Sequence, residues 1–321
     1  MNALRSLLRG LGWVLAGLIV LAAVYGMWSA WAYRDLAPDD VLARYGGDNV
    51  HRVELEGQPL YYRLDGPPVG SAPVVLLVHS HYFDSRMFDD WAKMLQQDFT
   101  VVRFDMTSHG LTGPDVTNDY SMARSLWLMD GLLSHLGVSE VAVVGSSLGG
   151  NMAFHWAAQY PERVSHLVLA NSGGLKREQN SKRSAAGIAP WFYRVFYFVP
   201  EIAYRKFLQW MIVDDALVDD GLVERFHAMF RREGNRQAEM ERMRTFDVGN
   251  PDSVLASVTA PTLLLWGEDN PQLPVALVGD FQQRLSAAPR VKSIVYPGAG
   301  HVLPLESPHQ AANDILDFLQ D

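Results

Sequence analysis

The period of the hydrophobic pattern changes several times along the chain, and each change marks an element. Leu11 to Tyr33 runs for 23 residues without a charge. As a helix it is long enough to cross a hydrocarbon core of about 30 Å. A polar linker follows, from Pro38 to Asn49. HRVELEG and QPLYYRLDG then alternate apolar and polar positions on either side of a turn, the pattern of a half-buried hairpin. PVVLLVH is apolar throughout between Pro73 and Ser80, as a strand covered on both faces would be. From there helical and strand periods take turns: SRMFDDWAKMLQQ, FTVVRFD, SMARSLWLMDGLLSHLG, EVAVVGS, LGGNMAFHWAAQYP, VSHLVLA. In the third of these Met122, Leu126, Met129, Leu133 and Leu136 share one helical face. The alternation predicts an α/β fold, a doubly wound and mostly parallel sheet with crossover helices on both sides.

The alternation stops at Gly174 and resumes near Ala260 with PTLLLWG, VKSIVYPG and the closing helix ESPHQAANDILDFLQ. A gap of that length is too long for a loop and predicts a helical insert. The expected organisation is therefore an N-terminal anchor over residues 1–37, a core formed by 38–174 and 260–321, and a cap over 175–259. Trp191, Phe192, Tyr193, Phe196, Tyr197, Phe198, Tyr204, Phe207 and Trp210 crowd the first half of the insert. They are expected to build its core and, in part, to line a lid over a pocket.

Charge gives the N-terminal segment a direction. Arg5 and Arg9 precede the apolar run, while Arg34, Asp35, Asp39 and Asp40 follow it. The positive-inside bias then leaves the rest of the chain outside the cytoplasm, in the periplasm or at the cell exterior, on a single-pass inner-membrane anchor. The alternative is a signal peptide cut after Ala32, at the A-x-A formed by Ala30 and Ala32. A formal net charge of −9 and a pI near 5.5 offer no field to nucleic acid. The chain has no cysteine, which excludes disulfides, thiolate metal sites and a cysteine nucleophile.

Candidate chemistry begins at GSSLGG, Gly145 to Gly150, which lies between the strand VAVV and a helix. That is the setting of a G-x-S-x-G elbow, where a sharp turn lifts Ser147 clear of the sheet at the positive end of a helix. A serine hydroxyl needs a base. His301, in GAGHVLPLESP between the last strand and the closing helix, is the histidine on a glycine-flanked loop at the same sheet edge.

With GSSLGG, WGEDNPQLP and GAGHVLPLESP in this order, the chain resembles the α/β-hydrolase superfamily from about Arg52 to its end. It is especially similar to membrane-anchored bacterial members whose second motif reads like FDMTSHGLTGPD. The resemblance implies a Ser–acid–His site and an oxyanion hole formed by the backbone N–H groups of His81 and Leu148. Two positions depart from the family pattern. Ser80 stands where the family has glycine after the first histidine. On the frame G-x-x-D-x-x-x-P, laid from Gly267 to Pro274, Asn270 occupies the acid's place, so either Asp269, one residue earlier, or Asn270 orients His301. Glu268 lies too early in that frame. His79-x-His81 with Asp84 faintly echoes a metal signature, but its spacing is wrong, and neither metal nor cofactor is expected.

The resulting expectation is a serine hydrolase acting on a carboxylic ester or related acyl compound, with an apolar acyl or aryl group, through an acyl-enzyme. Thioester, lactone and carbon–carbon cleavage, and acyl transfer, are open alternatives. So is a binding protein that kept the fold and lost its acid and hole glycine.

Overall fold

In a computed structural model, residues 2–176 and 187–321 are described; residues 177–186, at the start of the expected insert, lie outside them. Eight strands form one sheet: β1 (Val50–Leu55), β2 (Gln58–Asp65), β3 (Val74–Val78), β4 (Thr100–Phe104), β5 (Val141–Ser146), β6 (Val164–Ala170), β7 (Thr262–Gly267) and β8 (Val291–Tyr296). The spatial order is β1-β2-β4-β3-β5-β6-β7-β8. β1 and β2 are the expected hairpin, with Leu55 opposite Gln58. β2 meets β4 antiparallel, and every later pairing is parallel.

The helices are α1 (Asn2–Ala32), α2 (Pro38–Tyr45), α3 (Asp89–Leu95), α4 (Met122–His135), α5 (Leu148–Gln159), α6 (Glu201–Met211), α7 (Asp220–Arg231), α8 (Asn235–Thr245), α9 (Pro251–Ala256), α10 (Leu277–Arg284), α11 (Leu303–Glu306) and α12 (Pro308–Gln320). The stretch read as a linker contains α2. Pro38 opens it, Asp39 and Asp40 sit in its first turn, Arg44 in its last, and Val41 is buried.

Strand residues alternate between two cores, as period-2 geometry requires. Leu76, Val143 and Leu264 pack with Met129, Phe154 and Phe281 on one face. Leu77, Val144 and Leu265 pack with Trp91, Ile315 and Phe318 on the other. That second core runs on into Tyr204, Leu208 and Phe226 of the helices between β6 and β7, so the insert shares the sheet's apolar interior. Its 3₁₀ segment Pro190–Tyr197 buries no residue, and Trp191 is 60% exposed. The aromatic run is thus partly an outward face, not only an internal core.

Within α1, Leu8–Ala32 is long and apolar enough to cross a membrane, with a mean hydropathy of 2.0. The same length and composition also fit a signal sequence. Its C-terminal end meets the insert: Tyr25 donates to the Phe198 carbonyl at 2.8 Å, and Arg236 donates to the Tyr33 carbonyl at 2.6 Å. Tyr197 donates to the Asp35 carboxylate.

Candidate active site

The C-terminal edge of the parallel sheet gathers the site, because each strand there hands the chain to a loop. After β5 the backbone turns directly into α5. Ser147 sits at φ 52°, ψ −112°, in the left-handed half of the map that a residue with a Cβ avoids. Gly145 and Gly149 make that turn possible: a Cβ on Gly149 would run into the Val78 carbonyl, and one on Gly145 into the Gly149 carbonyl.

His301 reaches the serine from the loop after β8. Its Nε2 lies 3.0 Å from Ser147 Oγ, and its Nδ1 lies 3.2 Å from Asn270 Oδ1. The same Asn270 oxygen accepts the backbone N–H groups of Gln272 and Leu273, both at 3.0 Å. The two backbone donors converging on one atom fix which end of the carboxamide is oxygen. They also fix the imidazole: Nδ1 carries the proton, and the Nε2 lone pair faces the serine hydroxyl. Asp269 does not take this place. It is exposed, and its backbone N–H is tied to the Ala299 carbonyl at 3.0 Å, which turns its side chain outward. Glu268 is exposed as well.

With an amide rather than a carboxylate beside it, His301 has no offset to burial among the described residues. At 2% exposure its pKa falls to about 4. At neutral pH the ring is an uncharged base.

Two residues supporting His301 were not picked out by sequence reasoning. Asn171, at the end of β6, donates to the Gly300 and His301 carbonyls at 3.0 and 2.9 Å and accepts the Gly267 N–H at 3.0 Å. It ties the His301 loop to the start of the Asn270 loop. Glu306 accepts the N–H groups of Gly300, Val302 and Val213, each at 2.8 Å, so one carboxylate joins the His301 loop to the insert. An asparagine directly after a buried strand, and a glutamate five residues past the histidine, were the available signals.

A cavity of about 470 Å³ opens over Ser147, lined by His81, Leu148, Trp210, Phe246, Leu273 and His301 among others. The two expected hole residues therefore border it beside the serine. Ser80 is buried without needing a glycine's backbone, since its φ is not in the left-handed region. Its hydroxyl bonds Ser146 Oγ at 2.8 Å.

The metal signature comes apart. His79 Nδ1 faces the Ser80 carbonyl at 2.8 Å, its Nε2 accepts the Met106 N–H at 2.9 Å, and Asp84 caps the Arg86 N–H. His81 turns instead to Glu239 of α8, together with His109. Among the described residues these three form the one group whose ligand atoms all lie within 4.8 Å of one another.

A family model for the alpha/beta hydrolase fold matches residues 73–308. The uncharacterised hydrolase YugF of Bacillus subtilis is 24% identical over 274 residues, 84% of this chain and 98% of its own. A 2-hydroxy-6-oxononadienedioate/2-hydroxy-6-oxononatrienedioate hydrolase of Comamonas testosteroni is 28% identical over 200 residues, 59% of this chain and 66% of its own. Among solved structures, a membrane phospholipase A described as a bacterial virulence factor superposes with a TM-score of 0.72 at 23% identity, over 95% of this chain and 97% of that one. The enol-lactonase from Burkholderia xenovorans LB400 gives 0.72 at 19%, over 84% and 100%. At these identities the two structures speak for the fold.

Proposed function

Because the chain belongs to the alpha/beta hydrolase fold family, we propose that it is a serine hydrolase cleaving a carboxylic ester or related acyl compound through an acyl-enzyme at Ser147. The observation that carries this reading is the continuous chain Ser147 Oγ, His301 Nε2, His301 Nδ1, Asn270 Oδ1 at the floor of the cavity. His301 takes the hydroxyl proton as the serine oxygen attacks the acyl carbon. The backbone N–H groups of His81 and Leu148 receive the tetrahedral oxyanion, each such donor contributing about 3 kcal/mol to the transition state. His301 then returns the proton to the leaving alcohol, and water repeats the sequence on the acyl-enzyme. Asn270 orients the ring but brings no charge to the imidazolium that forms.

Trp210, Phe246 and Leu273 in the lining favour an apolar acyl or aryl group. A relative named as a 2-hydroxy-6-oxononadienedioate/2-hydroxy-6-oxononatrienedioate hydrolase supports carbon–carbon cleavage as a second reading. A dianionic substrate needs a free cation in the pocket. Among the described lining residues the full cation is Arg242, which spends Nε on Ser108 and Nη2 on Thr107. The apolar lining keeps the ester reading in front. The segment between β6 and β7 is the cap of this site, and α1 is an uncleaved anchor holding the catalytic part outside the cytoplasm. A fluorophosphonate probe should label Ser147, and wild type but not Ser147→Ala should hydrolyse short p-nitrophenyl esters. Equal rates in the two proteins would overturn the mechanism.

A further inference from the structure

Behind the proposed hole lies a buried polar cluster that the reaction itself does not use. α8 inserts Glu239 and Arg242, 1% and 3% exposed, into the loops that follow β3 and β4. Glu239 Oε1 is in direct contact with His81 Nε2. Ser108 Oγ donates to Glu239 Oε2 at 3.1 Å and accepts from Arg242 Nε at 2.9 Å. Arg242 Nη2 also donates to the Thr107 carbonyl at 2.8 Å. On the core side, the Tyr82 N–H donates to His109 Nε2 at 3.0 Å. Tyr82 is held at φ 69°, a left-handed conformation costly for a bulky residue.

The peptide between His81 and Tyr82 is thus pinned twice, through the His81 ring by a carboxylate of the cap and through the Tyr82 amide by His109. Where the family places glycine, this chain has Ser80 followed by a loop fixed from outside. Burial would raise the Glu239 carboxyl, but the contact with His81 and the Arg242 guanidinium nearby outweigh it and bring it down to about 2, so the group on His81 is an anion. Burial also drives His109 well below the usual histidine range, leaving the neutral ring that the Tyr82 N–H requires. The same three side chains have the composition of a zinc site. However, the His109 lone pair is already committed to Tyr82, and the Arg242 guanidinium stands beside the carboxylate.

We propose that Glu239 is a positioning residue for the oxyanion hole: seated with the cap, it fixes the His81 ring and thereby aims the His81 amide at the substrate oxygen. This rests on the serine-hydrolase reading and extends it, since the cap then completes the catalytic geometry as well as covering it. The contribution belongs to the transition state. Its loss lowers kcat and leaves KM nearly unchanged.

The test is a double-mutant cycle with Glu239→Gln and His81→Ala in the full-length protein, using p-nitrophenyl ester kinetics and phenylboronic acid, whose tetrahedral adduct places an oxygen in the hole. Each single variant is expected to lose about tenfold in kcat with KM within about twofold, and to lose boronic acid affinity by the same factor. The double variant should lose no more than either single one. Unchanged kcat and boronate affinity in folded Glu239→Gln, or losses that multiply in the double variant, would overturn the inference. So would one equivalent of zinc that is retained by wild type and absent from Glu239→Gln. If Glu239→Gln does not fold, the result rests on His81→Ala, which keeps the amide: wild-type kcat there overturns the inference equally. Wild-type turnover abolished by Ser147→Ala checks the reading beneath. Without it both fall; with it, a negative cycle removes the role of Glu239 alone.

Discussion

His301 Nδ1 lies 3.2 Å from the side-chain oxygen of Asn270, a neutral amide, while the carboxylate of Asp269 one residue away is turned to solvent. Asn270 Nδ2 is buried without a partner among the described residues, so the amide nitrogen contributes nothing there that a second carboxylate oxygen would forfeit. Asn270→Asp keeps all three hydrogen bonds to Oδ1 and adds a charge beside the imidazolium. Its kcat on p-nitrophenyl esters should rise by about tenfold or more, within the roughly 10⁴ that the reverse change costs a serine protease whose ring tautomer is also disturbed. Asp269→Ala should leave kcat within about twofold, because the contact of Asp269 with this loop is made by its backbone. A loss of activity in Asp269→Ala would relocate the acid.

The lowered pKa of His301 sets the acid limb of the pH profile. The base must be neutral, so kcat/KM should hold down to mildly acid pH and fall as pH drops through about 4. In Asn270→Asp the limb should move to higher pH, because a carboxylate favours the imidazolium. Stability follows the same sign. The unfolded histidine binds a proton near pH 6.5 and the folded one near 4, so the stability of the neutral buried ring is complete above about 6.5 and is lost as pH falls towards 4. Urea midpoints measured at pH 7 and pH 4.5 should differ less in His301→Gln than in wild type.

Asn171→Ala removes one acceptor and two donor bonds from a fully buried position and leaves the Gly267 N–H unpaired. A destabilisation of about 2 to 3 kcal/mol is expected in urea titrations. A further fall in kcat at temperatures where the variant is folded should accompany it, since the loops bearing His301 and Asn270 are no longer tied together.

Ser80→Gly should not improve the enzyme. The serine fits without positive φ and bonds Ser146, so replacing it by the family's glycine should cost about 1 kcal/mol and leave kcat within about threefold. A large gain in kcat would show that Ser80 obstructs the hole.

The parallel sheet, the elbow at Ser147 and the position of His301 were legible because each is written in local sequence: runs of apolar residues, glycines that only a tight turn explains, a histidine on a glycine-flanked loop. The place of Asn270 was legible by counting along the motif from Gly267 to Pro274. The choice between it and Asp269 was not, because it depends on which backbone N–H groups the loop turns inward. Glu239 was unreadable for a different reason. Nothing near it in the chain says that a glutamate on an insert helix is buried against a histidine 158 positions earlier. Such contacts are set by how the insert seats on the sheet, which no local period encodes. The helix Pro38–Tyr45 was passed over because its single buried residue gives too weak a stripe.

The junction at the end of α1 bears on mechanics. Tyr25, Tyr33 and Asp35 hold Phe198, Arg236 and Tyr197, all of them between β6 and β7. With α1 set in a bilayer, that segment is the part moored to the mast, and the sheet bearing Ser147 and His301 is the part suspended from it. Movement of one against the other would then displace the floor of the cavity, not its roof, with respect to the membrane.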